Sequence, residues 1–98
     1  MHVVMIWFRK DVPAEAVARF RARADTELRG IPGVKHLHCG TPIPSDRPVV
    51  DKSYSVALAM AFDGRAELGA YAAHPVHQKF SEECIRPFVE RLLVYDFE

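Results

Sequence analysis

Four short stretches of the chain have the residue pattern of β-strands. Residues 2–9 and 54–62 are rich in β-branched and aromatic side chains. Residues 34–40 follow an Ile-Pro-Gly turn, and residues 92–97 form a last apolar stretch. Residues 41–52 hold three prolines and no apolar periodicity, which predicts a loop between the second and third strands.

Two stretches have the spacing of amphipathic helices. The first begins near Pro13, which is favoured in a first helical turn, and Gly30 is typical of its end. The second is predicted to begin with Asp63 as its cap, to break at Pro75 and to resume beyond it. The order β-α-β-β-α(α)-β is typical of the ferredoxin-like α+β fold, an antiparallel sheet with helices on one face.

Both faces of the predicted strands are apolar. Val3, Met5 and Trp7 share one face of the first strand, and residues 4, 6 and 8 on the other face are apolar as well. A monomer with helices on one face of its sheet has polar residues on the other, and a large uncovered apolar face marks an interface. The pattern therefore predicts a homodimer whose two sheets pack face to face into an α/β barrel.

Composition limits the classes of function. Ninety-eight residues fit one domain, so residues 1–98 are expected to form a single one. Lys plus Arg and Asp plus Glu number 13 each, and a net charge of zero gives no reason to expect nucleic acid or an anionic membrane as a partner. Two cysteines are too few for a disulfide framework, and no apolar run approaches a membrane span. These features predict a soluble, cytoplasmic protein.

Five histidines carry the candidate chemistry. His36 and His38 alternate on the second strand, and His74 and His77 flank Pro75. Neutral imidazole is a common metal ligand, so the four could be joined into a site. No Cys-x-x-Cys or His-Glu-x-x-His spacing accompanies them, so His36 and His38 are interpreted as partly exposed strand residues and no side-chain metal site is predicted.

The segment Tyr71-Ala72-Ala73-His74-Pro75-Val76-His77 resembles the signature of the Dabb family, the stress-responsive α/β barrel domain. The resemblance extends to the opening strand, to the turn Ile31-Pro32-Gly33-Val34 and to the final Leu93-Val94-Tyr95-Asp96-Phe97. It implies a dimeric ferredoxin-like barrel, in agreement with the two apolar faces of the strands.

The resemblance also implies an activity. One plant member of the family is an enzyme without an organic cofactor, which closes a linear polyketide thioester by an aldol condensation. Its catalytic histidine and tyrosine correspond to His77 and Tyr71, and a pocket histidine corresponds to His2. A second pocket histidine corresponds to Val56 here, which leaves the pocket shape and the substrate open. His74, ahead of Pro75, is interpreted as a structural cap or turn residue.

Histidine and tyrosine suit such a reaction. A histidine of ordinary pKa can remove a proton α to a carbonyl at neutral pH, and a tyrosine hydroxyl can donate to the developing oxyanion. On one unbroken helix Tyr71 and His77 would lie about 240° apart around the axis, so the break at Pro75 is what allows both to face one cavity. We therefore expect a pocket between sheet and helices for a small apolar carbonyl compound, with cyclase- or lyase-type chemistry.

Two other functions stay open. Tyr71 can pack in the core with its hydroxyl bonded to the backbone, and His77 can bind backbone or water in a first helical turn. The chain would then be a non-enzymatic, stress-associated structural or binding protein. Other dimeric ferredoxin-like barrels oxidise aromatic compounds without a cofactor, and Trp7 with the histidines permits a monooxygenase of that kind.

Overall fold

The four strands form one antiparallel sheet in the order β2-β3-β1-β4. A computed structural model describes all residues from 1 to 98. Its strands are β1 His2–Phe8, β2 His36–Gly40, β3 Val56–Ala61 and β4 Val89–Asp96. The two chain-terminal strands are neighbours, with β1 central and β4 at an edge.

The helices lie in the two long connections. Helix α1 spans Ala14–Arg23 and continues as a π-helical turn, Ala24–Leu28. Helix α2 spans Arg65–Ala73, and α3 spans Pro75–Phe80 before a second π-helical turn, Ser81–Ile85. The predicted ferredoxin-like α+β fold is confirmed. No helix is both long enough and apolar enough to cross a membrane.

The hydrophobic core lies between the helices and one face of the sheet, called here the inner face. Alternate residues of β1 and β3 are buried on this face, in line with the period of a strand. Helix α1 and its π-helical turn contribute buried residues at intervals of four. The inward-facing residues of these elements are Val4, Ile6, Phe8, Val56, Leu58, Met60, Ala16, Phe20, Ala24 and Leu28.

The opposite face, called here the open face, carries no helix and is apolar at its centre, on β1 and β3. Val3, Met5 and Trp7 lie there half-buried, beside the small side chains of Ala57, Ala59 and Ala61. Tyr95 pairs with Val3 and keeps 55% of its surface exposed. Arg91 stacks over the Trp7 ring, with the guanidinium carbon 4.6 Å from the ring centroid.

Three strands begin at positions other than the predicted ones, and β2 begins at His36, two residues later than expected. Strand β3 begins at Val56 because the Phe8 N–H of β1 donates to the Ser55 hydroxyl, at 2.9 Å, and not to a backbone carbonyl as in a regular ladder. Strand β4 begins at Val89, three residues earlier than expected. Its first residues include an irregularity in the β1–β4 register, at which Glu90 has no partner in β1. An exposed edge strand tolerates charged residues such as Glu90, and these interrupt the apolar pattern from which the start of the last strand was predicted.

The prediction that Asp63 caps the second helix is wrong. Gly64 is the N-cap residue of α2, and no side chain bonds to the first turn. The Asp63 carboxylate instead pairs with the Lys35 ammonium, at the entrance to β2. The predicted Ile-Pro-Gly turn is present, and Gly33 adopts a φ of 95°, which favours glycine.

Candidate functional site

The break between α2 and α3 is built by His74 and Pro75. His74 leaves the helical conformation, and its Nδ1 accepts the Val76 N–H at 3.1 Å, so that it caps α3. Pro75 has no N–H to donate to the preceding turn. The carbonyls at the end of α2 therefore lose the partners that an unbroken helix would supply.

One of these carbonyls orients His77. In a continuous helix the Ala72 carbonyl would accept the Val76 N–H, but that N–H is bonded to His74. The freed oxygen lies 3.0 Å from His77 Nδ1 and 2.9 Å from Nε2 of the Gln78 side chain. Because a carbonyl can only accept, Nδ1 of His77 carries the proton and its Nε2 keeps a free lone pair.

Tyr71, on the last turn of α2, lies against His77. The ring centroids are 4.6 Å apart, and Tyr71 is only 2% exposed. Its hydroxyl has no hydrogen bond to the protein. Every fully buried side-chain N or O atom in the structure has a hydrogen-bond partner, so the Tyr71 hydroxyl is not fully buried. The hydroxyl therefore opens onto a cavity, and it is not the backbone-bonded core hydroxyl of the structural alternative.

A cavity of about 240 Å³ lies between the inner face and the helices, and both His77 and Tyr71 line it. The other polar lining residues are His2 and Ser81, and the remainder are apolar. No lysine, arginine, aspartate or glutamate lines the cavity. An uncharged ligand with an apolar body therefore suits this lining.

The edge strand β4 contributes one wall of the cavity. Leu92 and Val94 pair with Ile6 and Val4, so they share the inner face, and both line the cavity. They are nevertheless 40% and 44% exposed. The cavity is therefore accessible from the β4 edge of the sheet. In the sequence these two residues belong to the last apolar stretch, 92–97, a pattern that predicts a strand but not a pocket wall.

Burial shifts the acid–base properties of the two central groups. It raises the pKa of the Tyr71 hydroxyl well above its ordinary value, so the group stays protonated and can donate. Burial also lowers the pKa of His77, and the nearby His2 adds to this lowering, against the opposing effect of the bond to the Ala72 carbonyl. Both shifts favour a neutral imidazole beside a neutral phenol at pH 7.

His2 extends this group toward the solvent. Its ring lies edge-on to Tyr71, with centroids 5.9 Å apart, and its Nδ1 is 2.5 Å from an Asp96 carboxylate oxygen. The carboxylate holds the imidazole in one orientation from the neighbouring strand β4. The structure thus brings together three of the residues singled out by the sequence: His2, Tyr71 and His77.

The other candidate residues lie elsewhere. Val56 is fully buried opposite Ile6 in the core and does not line the cavity, and His74 borders a separate shallow groove beside α3. His36 and His38 are exposed on the open face. No three His, Cys, Asp or Glu side chains are arranged to hold a metal ion.

Two further features are separate from this cavity. Trp7 lies on the open face and donates its indole N–H to Ser53, so the structure does not bring it to the histidines of the cavity. A more open groove of about 400 Å³ runs between the chain termini and the start of α2, and it contains neither His77 nor Tyr71.

Several solved structures share this fold. A Dabb family protein from Mesorhizobium loti is 27% identical with a TM-score of 0.80, over 99% of this chain and 92% of that chain. A dimeric ferredoxin-like protein from Jannaschia sp. is 25% identical with a TM-score of 0.76, over 99% and 95%. Hydroxynitrile lyase from Passiflora edulis is 18% identical with a TM-score of 0.78, over 98% and 88%. None of the curated proteins matches this chain.

The family comparison covers the whole chain. The model of the stress responsive A/B barrel domain, Dabb, matches residues 1–98, which include all four strands and the His74–Pro75 break. The sheet order and the Mesorhizobium loti relative agree with this match. The chain therefore belongs to the stress responsive A/B barrel (Dabb) family.

Proposed function

We propose that this protein is a cofactor-free enzyme of the cyclase or lyase type that acts on a small neutral carbonyl compound. The observation that carries the proposal is the meeting of two unengaged polar groups at one apolar cavity wall. These groups are Nε2 of His77 and the hydroxyl of Tyr71.

The reaction follows from the state of each group. Nε2 of His77 removes a proton from the carbon beside the substrate carbonyl, while the Tyr71 hydroxyl donates to the oxygen of the resulting enolate. In an aldol-type closure the enolate carbon attacks a second carbonyl, and the new alkoxide takes the proton back from His77. No oxidant or reductant is consumed: the enolate electron pair forms the new carbon–carbon bond, the π electrons of the attacked carbonyl move to its oxygen, and His77 returns the proton to that oxygen.

The surroundings favour this chemistry. The low polarity of the cavity strengthens a hydrogen bond to a developing oxyanion. A lowered pKa keeps His77 unprotonated, as a base requires. A relative of the same fold, the Passiflora edulis protein, is a hydroxynitrile lyase, which supports an enzymatic function on this scaffold. A purely structural role gives no reason for an unbonded Tyr71 hydroxyl at a cavity.

Acetophenone is a suitable probe, since it is neutral, mostly apolar and carries exchangeable protons beside its carbonyl. We expect saturable binding, seen as NMR shifts of residues around the cavity, and exchange of the methyl protons in deuterated water. His77→Asn keeps a donor for the Ala72 carbonyl but removes Nε2, so exchange should fall about a hundredfold or more. Tyr71→Phe should lower it about a hundredfold.

His36→Asn is the matched control, because His36 is exposed on the open face, away from the cavity. It should retain the wild-type rate of exchange. Saturable binding at the cavity without any exchange above the buffer rate would contradict the enzymatic proposal and favour a binding protein. Exchange that survives in His77→Asn would contradict the assignment of His77 as the base.

A further inference from the structure

Ser81 lies on the same line of the helical surface as His77. His77, Ser81 and Ile85 are spaced by four residues along α3 and its π-helical turn, and all three line the cavity. Residues at this spacing stand one above another on one side of a helix. Ser81 is therefore a polar position within an otherwise apolar stripe, about one turn beyond the proposed base.

The hydroxyl of Ser81 has no hydrogen-bond partner in the protein. Each of the other three serines accepts a bond from an N–H group: Ser45 from Arg47, Ser53 from Trp7 and Ser55 from Phe8. No side-chain N or O atom is both sealed off and unpartnered, so the Ser81 hydroxyl is accessible. This hydroxyl therefore stabilises the fold through no hydrogen bond of its own.

The first π-helical turn offers a direct comparison. Thr26 lies there, and its hydroxyl donates to the Ala22 carbonyl four residues earlier, at 3.1 Å. Serine and threonine in helices commonly make this bond. Ser81 stands at the start of the second π-helical turn, and its hydroxyl makes no such bond; its backbone N–H donates to the carbonyls of Gln78 and His77.

A free hydroxyl on this wall discriminates between ligands. A ligand that covers Ser81 with apolar surface removes the hydroxyl from water without replacing its hydrogen bonds, which is unfavourable. A ligand with an oxygen at that point restores a hydrogen bond in a cavity of low polarity. A polar group in a binding site therefore separates the affinities of these two kinds of ligand, since every ligand that lacks the matching atom incurs the penalty.

We infer that Ser81 is a specificity-determining residue that binds a second oxygen function of the ligand. The inference rests on the proposed function, which places the reacting carbonyl at His77 and Tyr71. Four residues of helix rise about 6 Å, so the second oxygen lies roughly 6 Å from the carbonyl end. The ligand class is thus a neutral ketone with a further hydroxyl or oxo group at its far end.

A pair of probes tests this assignment. Acetophenone and para-hydroxyacetophenone share one skeleton and differ by a hydroxyl across the ring from the carbonyl. We expect the wild-type protein to bind the hydroxylated probe about tenfold more tightly, as one added hydrogen bond in an apolar site allows. Ser81→Ala should abolish this preference when both affinities are measured by NMR titration, because it weakens binding of the hydroxylated probe and removes the penalty that acetophenone incurs by covering the hydroxyl.

Thr26→Ala is the matched control, since it deletes a helical hydroxyl outside the cavity lining and should keep the preference. Equal affinities for the two probes in the wild-type protein, or an equal effect of Ser81→Ala on both, would overturn the role of Ser81 while the proposed function still stands on acetophenone binding and exchange. Failure of both probes to bind at the cavity would overturn the proposed function and this inference together.

Discussion

At the scale of single residues, one hydrogen bond determines what His77 can do. The bond from Nδ1 to the Ala72 carbonyl fixes the position of the proton and turns Nε2 away from the backbone. The Tyr71 ring, with its centroid 4.6 Å away, restricts the imidazole from the other side. A histidine held in this way needs no rearrangement before it accepts a proton from a ligand, which is the preorganisation that general-base catalysis exploits.

The titration of His77 also predicts how stability depends on pH. Burial lowers the pKa of His77 in the folded protein, whereas the unfolded chain has the ordinary histidine pKa of about 6.5. Below pH about 6.5 the unfolded state binds the proton more readily, so the free energy of unfolding falls as the pH decreases through the folded pKa. Above that pH the contribution of the neutral residue to stability is complete.

His77→Asn removes this contribution. Urea unfolding of the two proteins at pH about 7.5 and about 5.5 should show a larger loss of stability on acidification for the wild type than for the variant. Titrating groups other than His2 affect both proteins alike, so the difference reports the titration of residue 77 together with its interaction with His2. An equal loss in the two proteins, or a smaller one in the wild type, would show that folding does not depress the pKa of His77.

At the scale of elements, the break between α2 and α3 is the feature on which the site depends. Six residues along a continuous helix would carry Tyr71 and His77 about 240° apart. The structure instead holds their rings in contact, because His74 withdraws the Val76 N–H and so leaves the Ala72 carbonyl to His77. The break thus supplies both the direction of the imidazole and its anchor.

Joining the two helices should therefore disable the site. In His74→Ala/Pro75→Ala we expect the Val76 N–H to bond to the Ala72 carbonyl, so that His77 loses its anchor and leaves Tyr71. The nuclear Overhauser contacts between the two rings should disappear, and acetophenone exchange should fall to the level of His77→Asn. Helical content by circular dichroism should stay the same or rise. Retention of the ring contacts would show that the break does not position His77.

The elements also show how far sequence reasoning reaches. Local sequence signals were sufficient for the four strands, for the two helical stretches and for the break at Pro75, because each depends on residues that are near one another in the chain. The anchoring carbonyl of Ala72 was not predictable, since main-chain atoms carry no sequence signal. The position of Ser81 on the same helix face as His77 could have been predicted from its spacing. That its hydroxyl is free becomes apparent only when the hydrogen bonds of Thr26 and the other serines are known.

At the scale of the whole molecule, the sheet separates two surfaces with different tasks. The inner face, with the helices, encloses the cavity lined by His77 and Tyr71. The open face is apolar and includes Met5 and Leu93, which are paired across β1 and β4. Relatives with this fold are described as dimeric, the Jannaschia protein among them. We propose that two copies of this chain pack open face to open face.

The dimer can be tested at the centre of the open face. Met5→Lys places a charge between Val3 and Trp7, where a second apolar sheet would have to exclude water from it. We expect the wild type to sediment as a dimer at micromolar concentration and the variant as a monomer with an unchanged circular dichroism spectrum. Glu15→Lys, exposed at the start of α1, is the matched control and should remain dimeric. Because the cavity lies on the inner face, opposite the open face, the monomeric variant should still bind acetophenone. A wild-type monomer at these concentrations would contradict the face-to-face dimer and leave the cavity assignments untouched.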